Sequence, residues 1–390
     1  MSFDFDKVVD RRNTLSEKYD FAVERGKPAD VLPFWVADMD FPVAPCIHDA
    51  LIKAVNHGIF GYSEVKKPYF DALHHWYQTY FGWDVKENWL VKTPGVVYAL
   101  CAAIRGLTKE GDAILIQQPV YYPFMNSIKA NKRKLVNSPL VEKDGRYFMD
   151  FEDMEKKIAE NHVKLAILCS PHNPVGRVWT EDELHRYSAI CRKYGVTVVS
   201  DEIHSDFVYP GHKHTVFASL GDYEEQHSIV CTAPSKTFNI AGLQISDIWI
   251  PNDSLRRAVE GAIVRAGTDE MNLLGLVAAY AAYTGGREWL DAMRAYLKDN
   301  LDFTRDYLKQ YAPKVKLVEP DGTYLLWLDF RAFGLSAHDL QYKMEHEAKL
   351  WLDMGDMFGE EGAGFARINL ACPRATLTKG LARIRQAFGN

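Results

Sequence analysis

The sequence predicts an α/β fold with a mainly parallel sheet sandwiched by helices and a smaller α+β domain. Two observations predict this class. Short apolar runs of strand length alternate with segments of helical periodicity over the first 285 residues, the pattern of repeated β-α-β units. After Gly285 and Gly286 the pattern changes to a long helical region followed by two further apolar runs. This change predicts the second, smaller domain.

The elements follow in chain order. Residues 181–194 have helical periodicity, and residues 196–200 form a continuous β-branched run, as in a strand that is buried on both faces of a parallel sheet. The strands that we predict for the larger part are 113–117, 164–170, 196–200, 228–231 and 247–251, and those for the smaller part are 322–330 and 365–370.

Composition excludes several classes of protein. The chain has 390 residues, of which 47% are hydrophobic and 25% are charged, and its net charge of −6 provides no basic surface for nucleic acid. The longest apolar stretch is shorter than the roughly 20 residues that cross a membrane, and the N-terminus lacks an apolar signal region. Six scattered cysteines form no Cys-x-x-Cys pair. We therefore expect a cytoplasmic protein that binds neither nucleic acid nor membrane.

Three polar residues each follow a predicted strand. Asn173, Asp201 and Lys236 are separated by 28 and 35 residues, and ligands of open α/β sheets bind at the carboxyl ends of strands. A lysine there is placed to form a Schiff base with an aldehyde cofactor, and an aspartate is placed to hold a cationic ring nitrogen. Alone, each has an ordinary alternative: a turn asparagine, a solvated aspartate or a surface lysine. Their coincidence favours a cofactor site.

Four motifs connect the chain to a known family. They are Phe-Trp-Val-Ala-Asp-Met-Asp-Phe at 34–41, Gly-Ile-Phe-Gly-Tyr at 58–62, Ser-Asp-Glu-Ile-His at 200–204 and Pro-Ser-Lys-Thr-Phe-Asn-Ile-Ala-Gly-Leu at 234–243. On these motifs the chain resembles, over essentially its whole length, the fold type I pyridoxal-phosphate enzymes of the aspartate aminotransferase superfamily. Within them it is most similar to the cystathionine β-lyase and cystalysin type of C–S lyase.

The resemblance implies pyridoxal 5'-phosphate as the cofactor and assigns its partners. Lys236 binds the aldehyde, Asp201 pairs with the ring nitrogen and Asn173 bonds the phenolic oxygen. The remaining cofactor-binding residues are Tyr121, which stacks on the ring, His204, and for the phosphate Gly95, Val96, Val97 and Ser235. Tyr62 matches the tyrosine that reaches the phosphate of the neighbouring subunit, which implies a homodimer.

The resemblance also assigns the substrate side. Arg367 matches the arginine that binds the α-carboxylate of an amino acid, with Arg374 as the alternative, because a guanidinium grips a carboxylate through two parallel hydrogen bonds. Ala37 is assigned to substrate binding and Tyr122 to catalysis. We expect no metal site, since His212 and His214 have no partner cluster in the sequence and are typical of a solvated turn.

Two departures from the aminotransferase pattern favour the lyases. Gln244 stands eight residues after the lysine, where many aminotransferases carry an arginine on the phosphate, and His204 stands where aspartate aminotransferase has a tyrosine. The predicted reaction is β-elimination on sulfur-containing L-amino acids, giving thiol, pyruvate and ammonia. Two alternatives remain: an aminotransferase of aromatic or neutral amino acids, and a regulatory protein-binding role on the same fold.

The predicted domain division follows the change of pattern and the resemblance. Residues 46–285 form the large cofactor-binding domain, and residues 1–45 and 286–390 form the small domain. Methionine biosynthesis, cysteine breakdown and detoxification of cysteine conjugates all remain open as the physiological task.

Overall fold

The computed structural model describes residues 3–268 and 270–389. The strands are β1 (Leu32–Pro33), β2 (Leu90–Thr93), β3 (Ala113–Ile116), β4 (Lys134–Asn137), β5 (Val141–Lys143), β6 (Arg146–Phe148), β7 (Leu165–Cys169), β8 (Thr197–Asp201), β9 (Ser228–Thr232), β10 (Ser246–Trp249), β11 (Lys316–Val318), β12 (Leu325–Asp329), β13 (Leu350–Trp351), β14 (Asp353–Met354) and β15 (Phe365–Asn369).

The helices alternate with these strands. They are α1 (Pro45–His57), α2 (Lys67–Phe81), α3 (Val96–Leu107), α4 (Pro123–Ala130), α5 (Phe151–Asn161), α6 (Glu181–Tyr194), α7 (Asp222–Gln226), α8 (Pro234–Thr237), α9 (Asp253–Arg265), α10 (Leu273–Gly285), α11 (Arg287–Tyr311), α12 (Ala337–Tyr342) and α13 (Arg374–Phe388).

A seven-stranded sheet forms the centre of the larger part, in the order β2-β10-β9-β8-β7-β3-β4. All neighbours are parallel except β10, which runs antiparallel to both β2 and β9. Strands β7 and β9 are buried at every position, which is why the sequence reads there as unbroken apolar runs. The predicted fold class, a mainly parallel sheet with helices on both faces, is confirmed.

Helices cover the sheet on both faces because successive strand residues point to opposite sides. Ile167 packs with α3, α4 and α9, whereas the next residue, Leu168, packs with α5 and α6. Helix α6 begins and ends at the predicted residues. Its Thr180 and Glu183 form a reciprocal capping box, which fixes the start of the helix.

A four-stranded antiparallel sheet, β11-β12-β15-β14, lies in the C-terminal part with α11 and α13. The two strands predicted there correspond to β12 and β15. The N-terminal segment joins this part, because β1 pairs in parallel with β13 and Gly380 of α13 contacts the ring of Phe34. The domain boundaries at residues 45 and 285 stay a prediction.

The strand order brings three carboxyl ends together. Cys169 at the end of β7 lies opposite Asp201 at the end of β8, and Asp201 lies opposite Cys231 near the end of β9. Residues that follow these three strands therefore share one edge of the sheet. Among residues 3–268 and 270–389, no helix is long and apolar enough to cross a membrane, and no cluster of His, Cys, Asp and Glu is arranged to hold a metal.

A buried carboxylate in the sheet leads to a pH prediction. Asp247 on β10 is fully buried and accepts a hydrogen bond of 2.9 Å from the hydroxyl of Tyr69. Burial raises the pKa of Asp247 to about 7. A pKa that is raised on folding gives stability below the unfolded value, near 4, and that stability is lost as the pH rises to about 7.

We therefore expect Asp247→Asn, a neutral isostere, to gain stability relative to the unsubstituted protein as the pH rises. The gain should increase by about 2 kcal/mol between pH 5 and pH 8 in urea unfolding. Asp306→Asn, on the exposed side of α11, is the control and should show no such trend. A pH-independent difference for Asp247→Asn would contradict the assignment.

Candidate active site

A cavity of about 190 Å³ opens where β7, β8 and β9 end. Ten residues that the sequence singled out line it: Ala37, Gly95, Val96, Val97, Tyr121, Asn173, Asp201, His204, Ser235 and Lys236. They come from distant parts of the chain and meet because the parallel strands end at one edge. We call this space the inner cavity.

Lys236 lies on the short helix α8, one turn long, rather than on the strand end that the sequence suggested. Thr232 ends β9, and Pro234 then starts the helix because its fixed φ suits the first helical position. The Nζ of Lys236 donates a hydrogen bond of 2.8 Å to the carbonyl oxygen of Ala37. Burial lowers the pKa of Lys236 to about 8, against the opposing charge of Asp38. A substantial fraction of the amine is therefore neutral near pH 7.5 and able to act as nucleophile or base.

Asp201 is a buried carboxylate that lacks a cation at hydrogen-bond distance in the described part of the chain. The backbone N–H of Ile203 donates to it at 3.2 Å, and its side chain is 4% exposed. Burial raises the pKa of Asp201 to about 7. A cationic group brought to this position would stabilise the ionised form, as a protonated pyridine nitrogen does.

Asn173 connects the strand ends to the substrate side of the site. Its Oδ1 accepts a hydrogen bond of 3.0 Å from Nη1 of Arg367, and its backbone carbonyl accepts one of 3.0 Å from the N–H of Tyr121. The asparagine thus fixes both the aromatic loop and the arginine. This contact also explains how Arg367, which does not line the inner cavity, is tied to it.

Arg367 on β15 is 2% exposed and forms a buried ion pair with Asp353. Its Nη2 also donates a hydrogen bond of 2.7 Å to the carbonyl oxygen of Trp35, while its Nε has no hydrogen-bond partner among the described residues. The pair forms because β14 and β15 place Asp353 directly opposite Arg367. Sequence reasoning missed Asp353, since that register is set by long-range pairing. The alternative, Arg374, bonds Asn300 at 2.8 Å and lies outside the inner cavity.

Residues 34–41, which we call the strap, run beside the inner cavity and are held by asparagine side chains. Nδ2 of Asn369 donates to the carbonyl oxygens of Val36 at 2.7 Å and Asp38 at 2.5 Å. Nδ2 of Asn239, three residues after the lysine, donates to the carbonyls of Met39 at 3.0 Å and Phe41 at 2.8 Å. The strap is therefore fixed by β15 and by the lysine loop.

The Ala37 carbonyl has two donors. The hydroxyl of Tyr324 donates to it at 3.0 Å in addition to Lys236. Tyr324 is fully buried, and its ring lies edge-on to His204 at 5.7 Å. Sequence reasoning missed Tyr324 as well, because an aromatic in an apolar strand reads as core.

His204 is neutral in this environment. Burial, together with the positive charges of Lys236 and Arg367, lowers its pKa to about 3. Its Nδ1 is buried without a partner in the part of the chain that the structure describes. A neutral imidazole with a free nitrogen is suited to hydrogen-bonding a bound group.

The start of α3 offers backbone N–H groups to an anion. Gly95 precedes the helix, and no side chain caps it. The first N–H groups of a helix lack intrahelical partners and carry the positive end of the helix dipole. Ser235 lies on the same cavity and can add a hydroxyl. This arrangement fits a phosphate.

Three predicted residues lie outside the inner cavity. Tyr62 is 91% exposed, Tyr122 packs against Phe358 at a ring distance of 5.8 Å, and Arg367 reaches the cavity only through Asn173. Gln244, the position of the arginine in aminotransferases, is exposed with a φ of 52°. No cation at that position competes with the helix for a phosphate.

The donor set fits pyridoxal phosphate. A partly neutral lysine, a buried carboxylate without a cationic partner and an uncapped helix start correspond to its aldehyde, ring nitrogen and phosphate. Asn173, with the free imidazole nitrogen of His204 on the same cavity, corresponds to its phenolic oxygen. Tyr121 provides an aromatic ring on the same cavity.

Comparison with known proteins agrees with this geometry. Residues 29–384 match the family "Aminotransferase class I and II". Cystathionine beta-lyase PatB of Bacillus subtilis is 45% identical over 384 residues, which are 98% of this chain and 99% of that protein. A PLP-bound putative aminotransferase from Clostridium difficile 630 superposes with a TM-score of 0.97 at 44% identity, covering 99% of this chain and 100% of that one. Cystalysin from Treponema denticola, which contains pyridoxal 5'-phosphate, superposes with a TM-score of 0.95 at 37% identity, covering 99% of each chain.

The strap leads to a testable consequence. Asn369→Ala removes the two hydrogen bonds from its Nδ2 to the carbonyls of Val36 and Asp38, and it removes the acceptor of the Ala371 N–H. Leaving buried carbonyls unpaired costs about 1–3 kcal/mol, so we expect a loss of about 2 kcal/mol in urea unfolding. Since the strap carries Ala37, KM for the amino-acid substrate should also rise. Asn131→Ala, which removes a hydrogen bond to Ser127 O at the end of α4, is the control. An unchanged KM in Asn369→Ala would separate the strap from substrate binding.

Proposed function

The chain belongs to the aminotransferase class I and II family, and from this premise we propose that it is a pyridoxal-phosphate-dependent carbon–sulfur β-lyase. Its substrates are sulfur-containing L-amino acids such as cystathionine and cysteine conjugates, and its products are a thiol, pyruvate and ammonia. The observation that carries the proposal is the full-length 45% identity with a cystathionine β-lyase, joined to an inner cavity lined by the predicted cofactor residues.

Substrate binding is the task of Arg367. Its guanidinium is held by Asp353, Asn173 and the Trp35 carbonyl, which leaves Nε without a partner among the described residues. A fixed, planar guanidinium binds an α-carboxylate in a defined orientation.

Proton transfer is the task of Lys236. Its amine, with a pKa of about 8, takes the proton from Cα. When bound, pyridoxal phosphate supplies the electron sink that makes this carbon acidic. Asp201, as the ionised partner of the ring nitrogen, keeps that sink effective.

Loss of the thiol completes the elimination. The Cα proton goes to Lys236, a Cα=Cβ double bond forms, and sulfur leaves Cβ with the bonding electron pair. Lys236, which borders both cavities and holds the proton taken from Cα, returns it to the departing sulfur. Tyr122, assigned to catalysis from the sequence, packs against Phe358 outside the inner cavity, where burial and Asp353 raise the pKa of its phenol. The 2-aminopropenoate that is formed adds water and breaks down to pyruvate and ammonia.

Two other functions make different predictions. An aminotransferase of aromatic or neutral amino acids would use the same groups, but it would consume a keto acid stoichiometrically. A regulatory protein-binding role would not depend on Lys236. We place the enzyme in the cytoplasm, since its six cysteines are all free, and we place methionine biosynthesis among its candidate pathways.

We also propose a homodimer in which Tyr62 reaches the partner's cofactor phosphate. Tyr62 is too exposed to act in its own inner cavity, and it borders a depression of about 600 Å³ lined also by Leu276 and Tyr280. Other exposed apolar side chains lie on α1 and on the segment before Tyr62: Ile52, Val55, Ile59 and Phe60. Exposed apolar residues of this number are typical of a protein–protein interface.

The reaction is tested with L-cystathionine. The protein should release pyruvate and free thiol, and Lys236→Ala should lose at least about a thousandfold in rate because both the cofactor attachment and the base are removed. Lys109→Ala, which replaces an exposed lysine that lines neither the inner cavity nor any wall near Lys236, is the matched control. Keto-acid-dependent turnover without pyruvate would replace the lyase by the aminotransferase.

The shared site is tested by mixing two inactive variants, Lys236→Ala and Tyr62→Ala. A mixed dimer contains one intact site, in which Lys236 of one subunit meets Tyr62 of the other. After subunit exchange, activity should recover to roughly a quarter of the level of the unsubstituted enzyme, since half of the dimers are mixed and each has one working site. No recovery among mixed dimers that are seen by native mass spectrometry would rule out the shared site.

A further inference from the structure

A second, larger cavity continues outward from the inner cavity. It measures about 610 Å³ and shares Lys236 and Ala241 with the inner cavity. The strap lines part of it, and the N-terminal stretch that includes Val9, Arg11 and Leu15 lines another part. We call this space the outer cavity. Anything attached to a substrate beyond the reacting carbons has this space beside the lysine available to it.

Leu15 at this wall has two unusual properties. Its side chain is 87% exposed, and its φ is 61°, in the left-handed region that non-glycine residues seldom adopt. An exposed leucine gains nothing from core packing, and the left-handed conformation costs about 1 kcal/mol or more. An exposed side chain on a left-handed backbone persists only where the surroundings enforce that conformation.

Asp20 enforces the conformation. Its Oδ1 accepts the backbone N–H of Asn13 at 2.8 Å, and its Oδ2 accepts those of Thr14 and Ser16 at 3.0 Å each. Three hydrogen bonds from one short loop to one carboxylate hold residues 13–16 in a fixed shape. Leu15 is therefore presented at the outer cavity by a rigid turn.

Three charged residues that border the outer cavity, Arg11, Asp38 and Asp40, belong to one ion-pair cluster. Arg11 binds Asp38 at 2.5 Å and Asp40 at 2.8 Å, and the buried Lys18 binds Asp40 at 3.0 Å. This cluster of two cations and two carboxylates carries no net charge. The carboxylate of Glu17 also borders this space and pairs with Arg25. Beside these paired charges, the wall offers an incoming group the apolar side chains of Val9, Leu15 and Val36.

We propose that the outer cavity is the subsite for the sulfur-borne group of the substrate, and that Leu15 is its specificity-determining residue. The inference rests on the proposed β-elimination, in which this group leaves as the thiol. Side chains without net charge, either apolar or zwitterionic, fit the paired charges of the wall. Leu15 contacts the part of the group that extends beyond the sulfur.

The test compares a long and a short thioether, S-pentyl-L-cysteine and S-methyl-L-cysteine, by pyruvate release. In Leu15→Gly, kcat/KM for the pentyl substrate should fall about tenfold, as expected for loss of an apolar contact in a pocket, and the fall should lie in KM because the contact is present before and during reaction. For the methyl substrate the fall should be much smaller. Val8→Ala, exposed but outside the outer cavity, is the control.

Binding is also measured without turnover. L-2-Aminononanoic acid, in which a methylene replaces the sulfur of S-pentyl-L-cysteine, should bind the loaded enzyme about tenfold more weakly after Leu15→Gly, by titration of the cofactor absorbance. Leu15→Asn, which also tolerates a positive φ, should behave like Leu15→Gly. Neither variant should lower the unfolding midpoint.

Two results would overturn the subsite. Equal losses for the pentyl and methyl substrates would show that Leu15 acts on the whole site, and unchanged binding of the sulfur-free analogue would show that it contacts no substrate. Absence of pyruvate from both thioethers in the unsubstituted enzyme would overturn the lyase reaction instead. In that case the analogue titration still decides whether Leu15 lines a binding site.

Discussion

The hydrogen bonds to the carbonyl oxygens of the strap are the interaction on which the site depends. An irregular segment that is largely buried must find donors for those carbonyls that no strand pairs, because an unpaired buried carbonyl costs as much as a lost hydrogen bond. Here the donors are active-site groups themselves: Lys236, Arg367 and the two asparagines at 239 and 369. The substrate arginine, the cofactor lysine and the strap are thus fixed as one unit, so that a shift of any one disturbs the others.

The buried charges of the site also differ in whether they have a partner. Asp353 compensates Arg367, whereas Asp201 lacks a cation at hydrogen-bond distance within the described residues and responds with a raised pKa. Burying an ion without a partner destabilises a protein, so such a group indicates where a charged ligand belongs. The lowered pKa of Lys236 has the same origin, since burial disfavours its charged form. Cofactor binding relieves the cost at Asp201 and makes use of the neutral amine of Lys236.

The sequence predicted what local pattern controls. Asn173, Asp201 and Lys236 could be placed together because parallel strands end at one edge, and α6 could be bounded because its cap residues are local. Lys236 was assigned to a strand end, yet it lies on α8, since a one-turn helix has too few residues to show a period. Asp353, Tyr324 and Asn369 could not be found, because their partners lie more than a dozen residues away and are set by sheet register or by the path of the strap.

The inner cavity holds the groups of the reaction, and the outer cavity holds the residues that we assign to substrate selection. The inner cavity is built from the ends of buried strands, where neighbours on both sides fix every side chain, and it performs steps that are the same for every substrate. The outer cavity is bounded by the N-terminal stretch, whose shape depends on one carboxylate, Asp20, and on ion pairs with the strap. A change at Leu15 leaves those contacts and the sheet intact. Substrate preference can therefore change through this wall without loss of the fold, which explains why a leucine kept exposed and strained belongs there rather than in the core.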